Sequence, residues 1–284
     1  MRVNAYAKIN LSLDILGIRE DGYHDLSSVM QSISLCDIID IELNTNGKII
    51  LSCDKDNIPL DSRNTMYRAA EKVLKKLDCG SDIGVTIKLS KAIPSEAGLG
   101  GGSADASSVI TALNELLGNK LNDYELIEIA SAVGADVPFC IHGGTALCEG
   151  IGERLSILDA MPDCMILIAK PDVGVSTKEA YAAIDRFPEY FGNRNTENVI
   201  SALRASSLSG VASAVGNLFD DTLCIPEVQD IKAGMLACGA MASSMSGSGS
   251  AVFGIFADAD KAKSCMKELK EKCNVFICQP VKAY

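Results

Sequence analysis

The stretch from residue 93 to residue 108 constrains the fold of this chain more than any other part. It places a group of glycines between a strand-like run that ends at Ile93 and a helical pattern that begins at about Ser103: Gly98, Gly100, Gly101 and Gly102. Glycine tolerates positive φ and lets the backbone approach a ligand closely. The positive end of a helix attracts anions. The pattern predicts a loop that holds a polyphosphate, and a turn that binds nothing is the alternative.

The glycine loop does not belong to the common phosphate-binding classes. No Lys-Ser or Lys-Thr pair follows the last glycine, so it is not a Walker A loop. Ser103 stands where the dinucleotide fingerprint has its third glycine. The Val-Ala-Ile-Lys strand of protein kinases is also missing from the sequence. A nucleotide therefore remains the expected ligand, but in a less common type of loop.

Composition argues against several classes of protein. The chain has 284 residues, enough for a sizeable core in one large or two smaller domains. Its 48% hydrophobic and 22% charged residues are typical of a globular protein. A net charge of −11 argues against nucleic acid or an anionic membrane as a partner, because both attract basic surfaces.

The cysteines and histidines predict neither a metal site nor a disulfide framework. The 11 cysteines are scattered, they form no Cys-x-x-Cys pair, and the only histidines are His24 and His142. The sequence begins without the apolar run of a signal peptide, and no run of 18 apolar residues occurs. We therefore expect a cytoplasmic protein with buried, reduced cysteines.

Hydrophobic periodicity predicts an α+β protein. The predicted strands cover residues 2–16, 26–43, 85–93, 165–170, 251–257 and 274–281. The predicted helices cover residues 64–77, about 103–117, 123–133, 176–185, several segments within 196–238, and 258–272. Composition changes near residues 156–163, which predicts one domain over residues 1–158 and a second over residues 159–284.

Lys8 and Asp136 are the candidate catalytic pair. Lys8 and Asn10 fall on one face of an otherwise apolar strand. A buried lysine requires a partner, and Asp136 in Gly134–Pro138 is the candidate because small and apolar residues flank it. Such a pair suits phosphoryl transfer to an alcohol. A solvated strand lysine and an aspartate that only shapes a turn are the alternatives.

Two further motifs lie outside the glycine loop. Tyr23 and His24 occur together in a polar loop, so both rings are available to stack on a base, and Tyr181 is a candidate for its other side. Ordinary packing is the alternative for Tyr181. The small-residue loop at Gly247, Ser248 and Gly249 is a candidate cover for the transferred phosphate, with a surface turn as its alternative.

Together these motifs resemble the GHMP small-molecule kinase superfamily. The matching blocks occur in the family's order over nearly the whole chain: Ala7–Leu11, Gly22–His24, Pro94–Ala106, Gly134–Pro138 and Gly247–Gly249. The resemblance implies a ribosomal protein S5 domain 2-like N-terminal domain and a ferredoxin-like C-terminal domain, with the active site in the cleft. It also implies that ATP, with Mg²⁺, phosphorylates a cytidine-diphosphate alcohol. We separately expect a monomer or homodimer.

The resemblance also implies a role for each matching residue. It places Asp136 at the acid–base position with Lys8 beside it, and Asn10 near the substrate. It assigns the cytosine to Tyr23, His24 and Tyr181. The positions that it assigns to ATP are Asn64 and Lys91 near the adenine, and Pro94, Gly98, Leu99, Gly100, Gly101, Gly102 and Ser103 along the phosphate loop. Glu96 is a departure, because an acid beside phosphates is unfavourable unless it faces a metal or solvent.

Two alternatives remain at this point. One is another kinase of the superfamily, of the homoserine or mevalonate type, whose substrates carry no base for Tyr23 and His24 to stack on. The other is a nucleotide-binding sensor without catalysis, which would need neither Lys8 nor Asp136.

Overall fold

A computed structural model describes residues 1–192 and 194–283. The chain divides into two compact units. The first comprises residues 1–7, 36–95 and 100–142, and the second comprises residues 8–35, 96–99 and 143–284, of which residues 193 and 284 lie outside the described part. The predicted boundary at residue 158 falls inside the second unit. A single cut cannot reproduce this division because two long N-terminal strands contribute residues to both units.

The first unit contains four helices and a sheet in its described residues. Its elements are parts of β1 (Arg2–Ile18) and β2 (His24–Asn44), then β3 (Ile49–Cys53), α1 (Thr65–Lys76), β4 (Gly84–Ser90), α2 (Gly101–Leu116), α3 (Asp123–Ser131) and α4 (Val137–His142). Strand β4 pairs antiparallel with residues 38–44 of β2 and parallel with β3. The apolar stripe of α1 is buried, as the period of its sequence predicts.

The second unit begins with the remaining parts of β1 and β2. It continues with β5 (Thr145–Gly150), β6 (Arg154–Ile157), β7 (Met165–Lys170), α5 (Thr177–Ile184), a 3₁₀ turn (Pro188–Tyr190), α6 (Thr196–Arg204), α7 (Leu208–Ala214), β8 (Gly216–Asn217), α8 (Leu218–Leu223), α9 (Pro226–Ala237), β9 (Ala242–Met245), β10 (Val252–Phe256), α10 (Ala259–Leu269) and β11 (Asn274–Cys278). Residues 26–31 of β2 pair with β5, and β8 runs parallel to residues 12–13 of β1. A separate antiparallel sheet has the order β11-β7-β10-β9.

The α+β prediction is confirmed, and most predicted elements are present with shifted ends. Helix α2 begins two residues before the predicted Ser103, because Gly100 caps it in a left-handed conformation with φ 68°. The strands β3, β5, β6, β8 and β9 and the helix α4 were not predicted. The break predicted at Gly134 is present, because α3 ends at Ser131 and α4 begins at Val137. Proline at the second position of α4 is compatible with a helix start, where its missing N–H has no role.

Buried side chains of β1, β7, β10 and the helices α5, α8, α9 and α10 form the core of the second unit. Capping residues define several helix ends; for example, Ser176 and Glu179 form a capping box at the start of α5. Among the described residues, no helix is both long and apolar enough to cross a bilayer.

Candidate active site

The first half of the glycine loop belongs to the second unit. Gly98 has φ 71°, and a Cβ atom there would overlap the carbonyl oxygen of Ser246, so the position requires glycine. The neighbouring Leu99 is buried, and its carbonyl oxygen accepts a hydrogen bond of 3.0 Å from the backbone N–H of Lys8. The loop is therefore bonded directly to the β1 segment that carries the candidate catalytic lysine.

The second half of the loop, with the start of α2, belongs to the first unit. The carbonyl oxygen of Gly100 accepts bonds from the N–H groups of Ser103 and Ala104, at 3.0 and 2.9 Å. The Thr65 hydroxyl donates to the carbonyl oxygen of Gly102 at 2.6 Å and ties α1 to this turn. A helix leaves its first N–H groups without intrahelical partners, so the start of this 16-residue helix suits a phosphate group.

Lys8 is buried, with 4% of its surface exposed, and its ammonium group has a defined partner in the second unit. Its Nζ donates to Oδ1 of Asn10 at 2.7 Å, and Nδ2 of Asn10 donates to the Ser28 hydroxyl at 2.8 Å. Ser28 in turn donates to the carbonyl oxygen of Ser12 at 2.6 Å. The solvated-lysine alternative is therefore wrong, and Lys8 lies in a buried hydrogen-bond chain.

Asp136 lies at the start of α4 in the first unit and is half-buried. Its carbonyl oxygen accepts from the N–H of Cys140 at 3.1 Å, so its backbone already forms part of the helix turn. Asp136 and Lys8 belong to different units, and their pairing stays a prediction.

The structure brings His24 and Tyr181 together in the second unit. Their ring centroids are 4.6 Å apart with the planes tilted by 31°, and Phe191 meets His24 edge-on at 6.4 Å. Nε2 of His24 lies 2.7 Å from Oδ1 of Asp185. Tyr23, in contrast, is 61% exposed. Because the ring centroids of His24 and Tyr181 are only 4.6 Å apart, there is no room for a base between these two rings.

The loop of residues 246–250 is held rigidly within the second unit. The side-chain amide of Asn217 donates to the carbonyl oxygens of Met245 and Gly247, at 2.7 and 2.8 Å. The Ser248 hydroxyl lies 3.1 Å from that of Thr177, at the start of α5. Ser250 donates to the carbonyl oxygen of Val173. The surface-turn alternative is thus unsuited to this loop, because the Gly247 carbonyl and the hydroxyls of Ser248 and Ser250 are bonded to other elements.

Lys91 and Asn64 both make contacts that stabilise the first unit. Nζ of Lys91 is 2.5 Å from Asp37 and 2.7 Å from Asp105, and Asp37 also accepts the N–H groups of Ala92 and Ile93. Burial acts to lower the pKa of Lys91, but Asp105 and Asp37 outweigh it, so the pKa is raised. Asn64 caps α1 and donates to the carbonyl oxygen of Pro59. The assignment of both side chains to the adenine stays a prediction.

Asp105 is the unusual member of this ion-pair cluster. Its Oδ1 is buried and has no hydrogen-bond partner among the described residues. Burial raises the pKa of its carboxyl to about 7, although Lys91 acts to lower it. Asp105 lies in the second turn of α2, close to the glycine loop. The first turn of the same helix packs closely on Lys91. A Cβ atom added at Gly101 would lie only 3.0 Å from Nζ of Lys91.

Glu96 and Lys170 lie beside the loop in the second unit. Glu96 is exposed and has φ 51°, which agrees with the expectation that an acid here faces solvent or a metal. Nζ of Lys170 donates to the carbonyl oxygens of Pro171 and Val173, at 2.7 and 3.0 Å. Burial lowers the pKa of Lys170, while the charges of Asp172 and Glu96 act in the opposite direction. Lys170 thereby supports the same Val173 carbonyl that Ser250 contacts.

Several residues that position the site were missed at the sequence level. They are Ser28, Asp37, Asp105, Asp185, Phe191 and Asn217. Ser246 begins the small-residue loop that the sequence singled out, but the contacts of its hydroxyl were not predicted. Asp37 carried a usable signal, since an acid in an apolar strand requires a partner as Lys8 does. The serines carried none, because small polar residues occur throughout the chain and only their tertiary neighbours distinguish them.

Comparison with known proteins identifies relatives of the whole chain. The GHMP kinases N terminal domain model matches residues 64–144, and the GHMP kinases C terminal model matches residues 199–275. The chain is 42% identical to the 4-diphosphocytidyl-2-C-methyl-D-erythritol kinase of Clostridium botulinum (strain Eklund 17B / Type B), over 99% of this chain and 100% of the relative. It is 43% identical to the enzyme of that name from Clostridium beijerinckii (strain ATCC 51743 / NCIMB 8052), with the same coverage.

Solved structures agree with these relatives. A crystal structure of 4-(cytidine 5'-diphospho)-2C-methyl-D-erythritol kinase superposes with a TM-score of 0.84 at 33% identity, covering 99% of both chains. A homoserine kinase from Cytophaga hutchinsonii superposes with a TM-score of 0.75 at 20% identity, over 98% of this chain and 95% of that one. The latter likeness concerns the fold alone.

Proposed function

The chain belongs to the GHMP kinase family, and from that premise we propose that it phosphorylates 4-diphosphocytidyl-2-C-methyl-D-erythritol. ATP is the phosphoryl donor and the 2-hydroxyl of the methylerythritol unit is the acceptor. The reaction belongs to non-mevalonate isoprenoid precursor biosynthesis. The support is an identity of about 40% over the full length of relatives that carry this name.

One structural observation carries the catalytic part of the proposal. Lys8 is a buried cation whose backbone N–H is bonded to Leu99 of the glycine loop and whose ammonium is bonded to Asn10. A loop that only senses a nucleotide has no need of a buried lysine fixed in this way. The arrangement instead supports a cation held at a set distance from the phosphates of a bound nucleotide.

In the proposed reaction, the acceptor hydroxyl oxygen forms a bond to the γ-phosphorus of ATP. The bond between that phosphorus and the bridging oxygen of ADP breaks, and its electron pair stays on ADP. Asp136 orients the hydroxyl and accepts its proton, while the ammonium of Lys8 offsets negative charge on the transferred group. The N–H groups at the start of α2 hold the phosphates, and residues 247–249 cover the transferred group.

We propose that ATP is used together with Mg²⁺. The described residues contain no group of three or more His, Cys, Asp or Glu side chains that could hold a metal. Mg²⁺ does not require such a group, because it binds nucleotides through phosphate oxygens and water with only one or two protein ligands. Ser103 carries the one side-chain oxygen in residues 100–103 and would supply such a ligand. When bound, the ion would neutralise charge that develops on the phosphates.

We further propose that the aromatic cluster recognises the cytosine. His24 is fixed by Asp185 and stacked on Tyr181, and the exposed ring of Tyr23 is next to it in sequence. Rings of this kind stack on a base, and the imidazole adds a hydrogen-bonding edge. Substrates of homoserine and mevalonate kinases carry no base, so this cluster favours the cytidine-diphosphate alcohol over either of them.

A coupled ADP-release assay with a panel of alcohols tests the function. We expect turnover with 4-diphosphocytidyl-2-C-methyl-D-erythritol and none above background with homoserine or mevalonate. Activity on homoserine without activity on the cytidine compound would overturn the substrate assignment. Binding of ATP without turnover of any alcohol would favour the sensor. A cytoplasmic location and a monomeric or homodimeric state remain part of the proposal.

A further inference from the structure

Ser246 is a fully buried residue that follows β9 directly in the second unit. Its hydroxyl oxygen lies 2.9 Å from the carbonyl oxygen of Gly98 and 3.3 Å from the backbone nitrogen of Asn10. Its own N–H donates to Ala251 at 2.9 Å, and its carbonyl oxygen accepts from the N–H of Gly249 at 3.0 Å. Every polar group of Ser246 therefore has a partner in the fold.

The two bonds of the Ser246 hydroxyl have only one possible direction each. The carbonyl of Gly98 can only accept, so it takes the single hydroxyl proton. The backbone N–H of Asn10 can only donate, so it uses a lone pair of the hydroxyl oxygen. The hydroxyl is thus a bridge of one donated and one accepted bond, and an apolar side chain cannot replace it.

This bridge joins the strand of the catalytic lysine to the phosphate loop. On the strand, the Asn10 side chain binds the ammonium of Lys8 at 2.7 Å. On the loop, Leu99 accepts from the backbone N–H of Lys8 at 3.0 Å. Residues 8–10 and residues 98–99 are therefore connected twice, once directly and once through Ser246. The overlap that a Cβ on Gly98 would make with the Ser246 carbonyl shows how closely the backbones of Gly98 and Ser246 approach each other.

We propose, on the basis of the proposed kinase function, that Ser246 is a positioning residue for phosphoryl transfer. It sets the spacing between the Lys8–Asn10 segment and the Gly98–Leu99 turn, and thereby the alignment of the acceptor hydroxyl with the γ-phosphoryl group. Because Ser246 is fully buried, we expect it to contact neither substrate directly. Its loss therefore affects the chemical step and leaves both affinities in place.

The test is Ser246→Ala, measured with steady-state kinetics and with calorimetric binding of a non-hydrolysable ATP analogue. A misplacement of about 1 Å lowers catalysis by about 100-fold, so we expect kcat to fall by about 10- to 100-fold. We expect KM for both substrates and Kd for the analogue to stay within about threefold of the wild-type values. The variant keeps the contacts that bind the substrates equally in the ground state and the transition state. Ser246→Cys keeps a weak donor and acceptor of similar shape and should restore part of kcat.

Ser243→Ala is the matched control. Its hydroxyl also donates to a backbone carbonyl, that of Phe253 at 3.1 Å, but within the β9–β10 pair and away from the loop. We expect wild-type kinetics from this variant. Melting temperatures of all variants separate a positioning effect from a general loss of stability.

Three outcomes would overturn the positioning role. One is a kcat of Ser246→Ala within about threefold of wild type, given the scale expected for misplacement. Another is a loss of kcat matched by an equal loss of affinity for the ATP analogue. The third is failure of both Ser246 variants to fold, which would make the serine a folding residue. If the wild type turns over a different alcohol, the proposed substrate is wrong. The kcat of Ser246→Ala relative to that of the wild type, both measured on that alcohol, still tests the role of Ser246.

Discussion

The side-chain nitrogen of Asn10 lies 2.8 Å from the hydroxyl oxygen of Ser28, and this contact orients the Asn10 amide. Ser28 gives its only hydroxyl proton to the carbonyl oxygen of Ser12, so toward Asn10 it can only accept. The NH₂ group of Asn10 must therefore face Ser28, and its oxygen must face the ammonium of Lys8. The uncharged Ser28 thus determines which atom of the Asn10 amide faces the ammonium of Lys8.

Ser28→Ala should lower kcat by about tenfold. The variant loses the hydrogen bond that orients the Asn10 amide, and a barrier change of the size of about one hydrogen bond corresponds to about a tenfold change in rate. Without Ser28, the Asn10 amide can flip and turn its NH₂ group toward the positive charge of Lys8. Steady-state kinetics with both substrates measures the effect. Ser27→Ala is the control, because this buried serine faces the other side of β2. Equal kinetics for the two variants would contradict the orienting role of Ser28.

Asp136→Asn should retain both ligands but lose turnover by about 100-fold or more, the scale of a positioned acid–base group. The amide keeps the shape of the carboxylate and cannot accept the hydroxyl proton. Calorimetry with the cytidine substrate and an ATP analogue checks binding, and ADP release checks turnover. Unchanged turnover would remove Asp136 from the mechanism, and loss of binding would indicate a role in affinity.

Asp185→Ala should weaken binding of the cytidine substrate, because His24 loses the partner of its Nε2 atom. We expect KM for that substrate to rise by about tenfold, in line with the loss of one hydrogen bond to a charged group. KM for ATP should not change. The exposed Glu189, near Asp185 in sequence, supplies the control variant Glu189→Ala. A parallel rise in KM for ATP would show that the change is not confined to the aromatic cluster.

Asp105→Asn should alter how stability depends on pH. The pKa of Asp105 is raised by burial from 3.8 to about 7 in the folded protein, so the folded state holds a proton that the unfolded state releases. This contribution to stability is fully present below pH 3.8 and is lost as the pH rises through about 7. The wild-type melting temperature should therefore fall by several degrees between about pH 4 and about pH 7 relative to that of Asp105→Asn.

Differential scanning calorimetry over this pH range measures the effect of Asp105. Asp40→Asn is the control, because Asp40 pairs with Arg2 at the surface, where the pKa of its carboxyl is lowered, and so it does not titrate near neutral pH. Parallel pH profiles for wild type and Asp105→Asn would show that this carboxylate does not titrate in that range.

The glycine loop and its helix were predictable because they depend on residues close together in sequence. At positions 98 and 100 the φ values of 71° and 68° favour glycine from local backbone conformation, and at position 98 the approach of Ser246 adds a tertiary requirement. The apolar period of α1 likewise repeats within a few residues. Strands β5 and β6 escaped prediction because short strands owe their stability to partners in the sheet rather than to local preference.

The sequence by itself determined the family, and it predicted a phosphate-binding glycine loop. It also predicted a buried Lys8 with a partner, and the alternative of a solvated lysine was settled only by the structure. The tertiary structure alone decided which partners the charged groups meet. Lys91 pairs with Asp37, 54 positions away, and His24 with Asp185, 161 positions away. A buried charge must be compensated, and this requirement can be inferred from one residue and its neighbours. Which group compensates it depends on how distant segments pack, and local sequence carries no record of that.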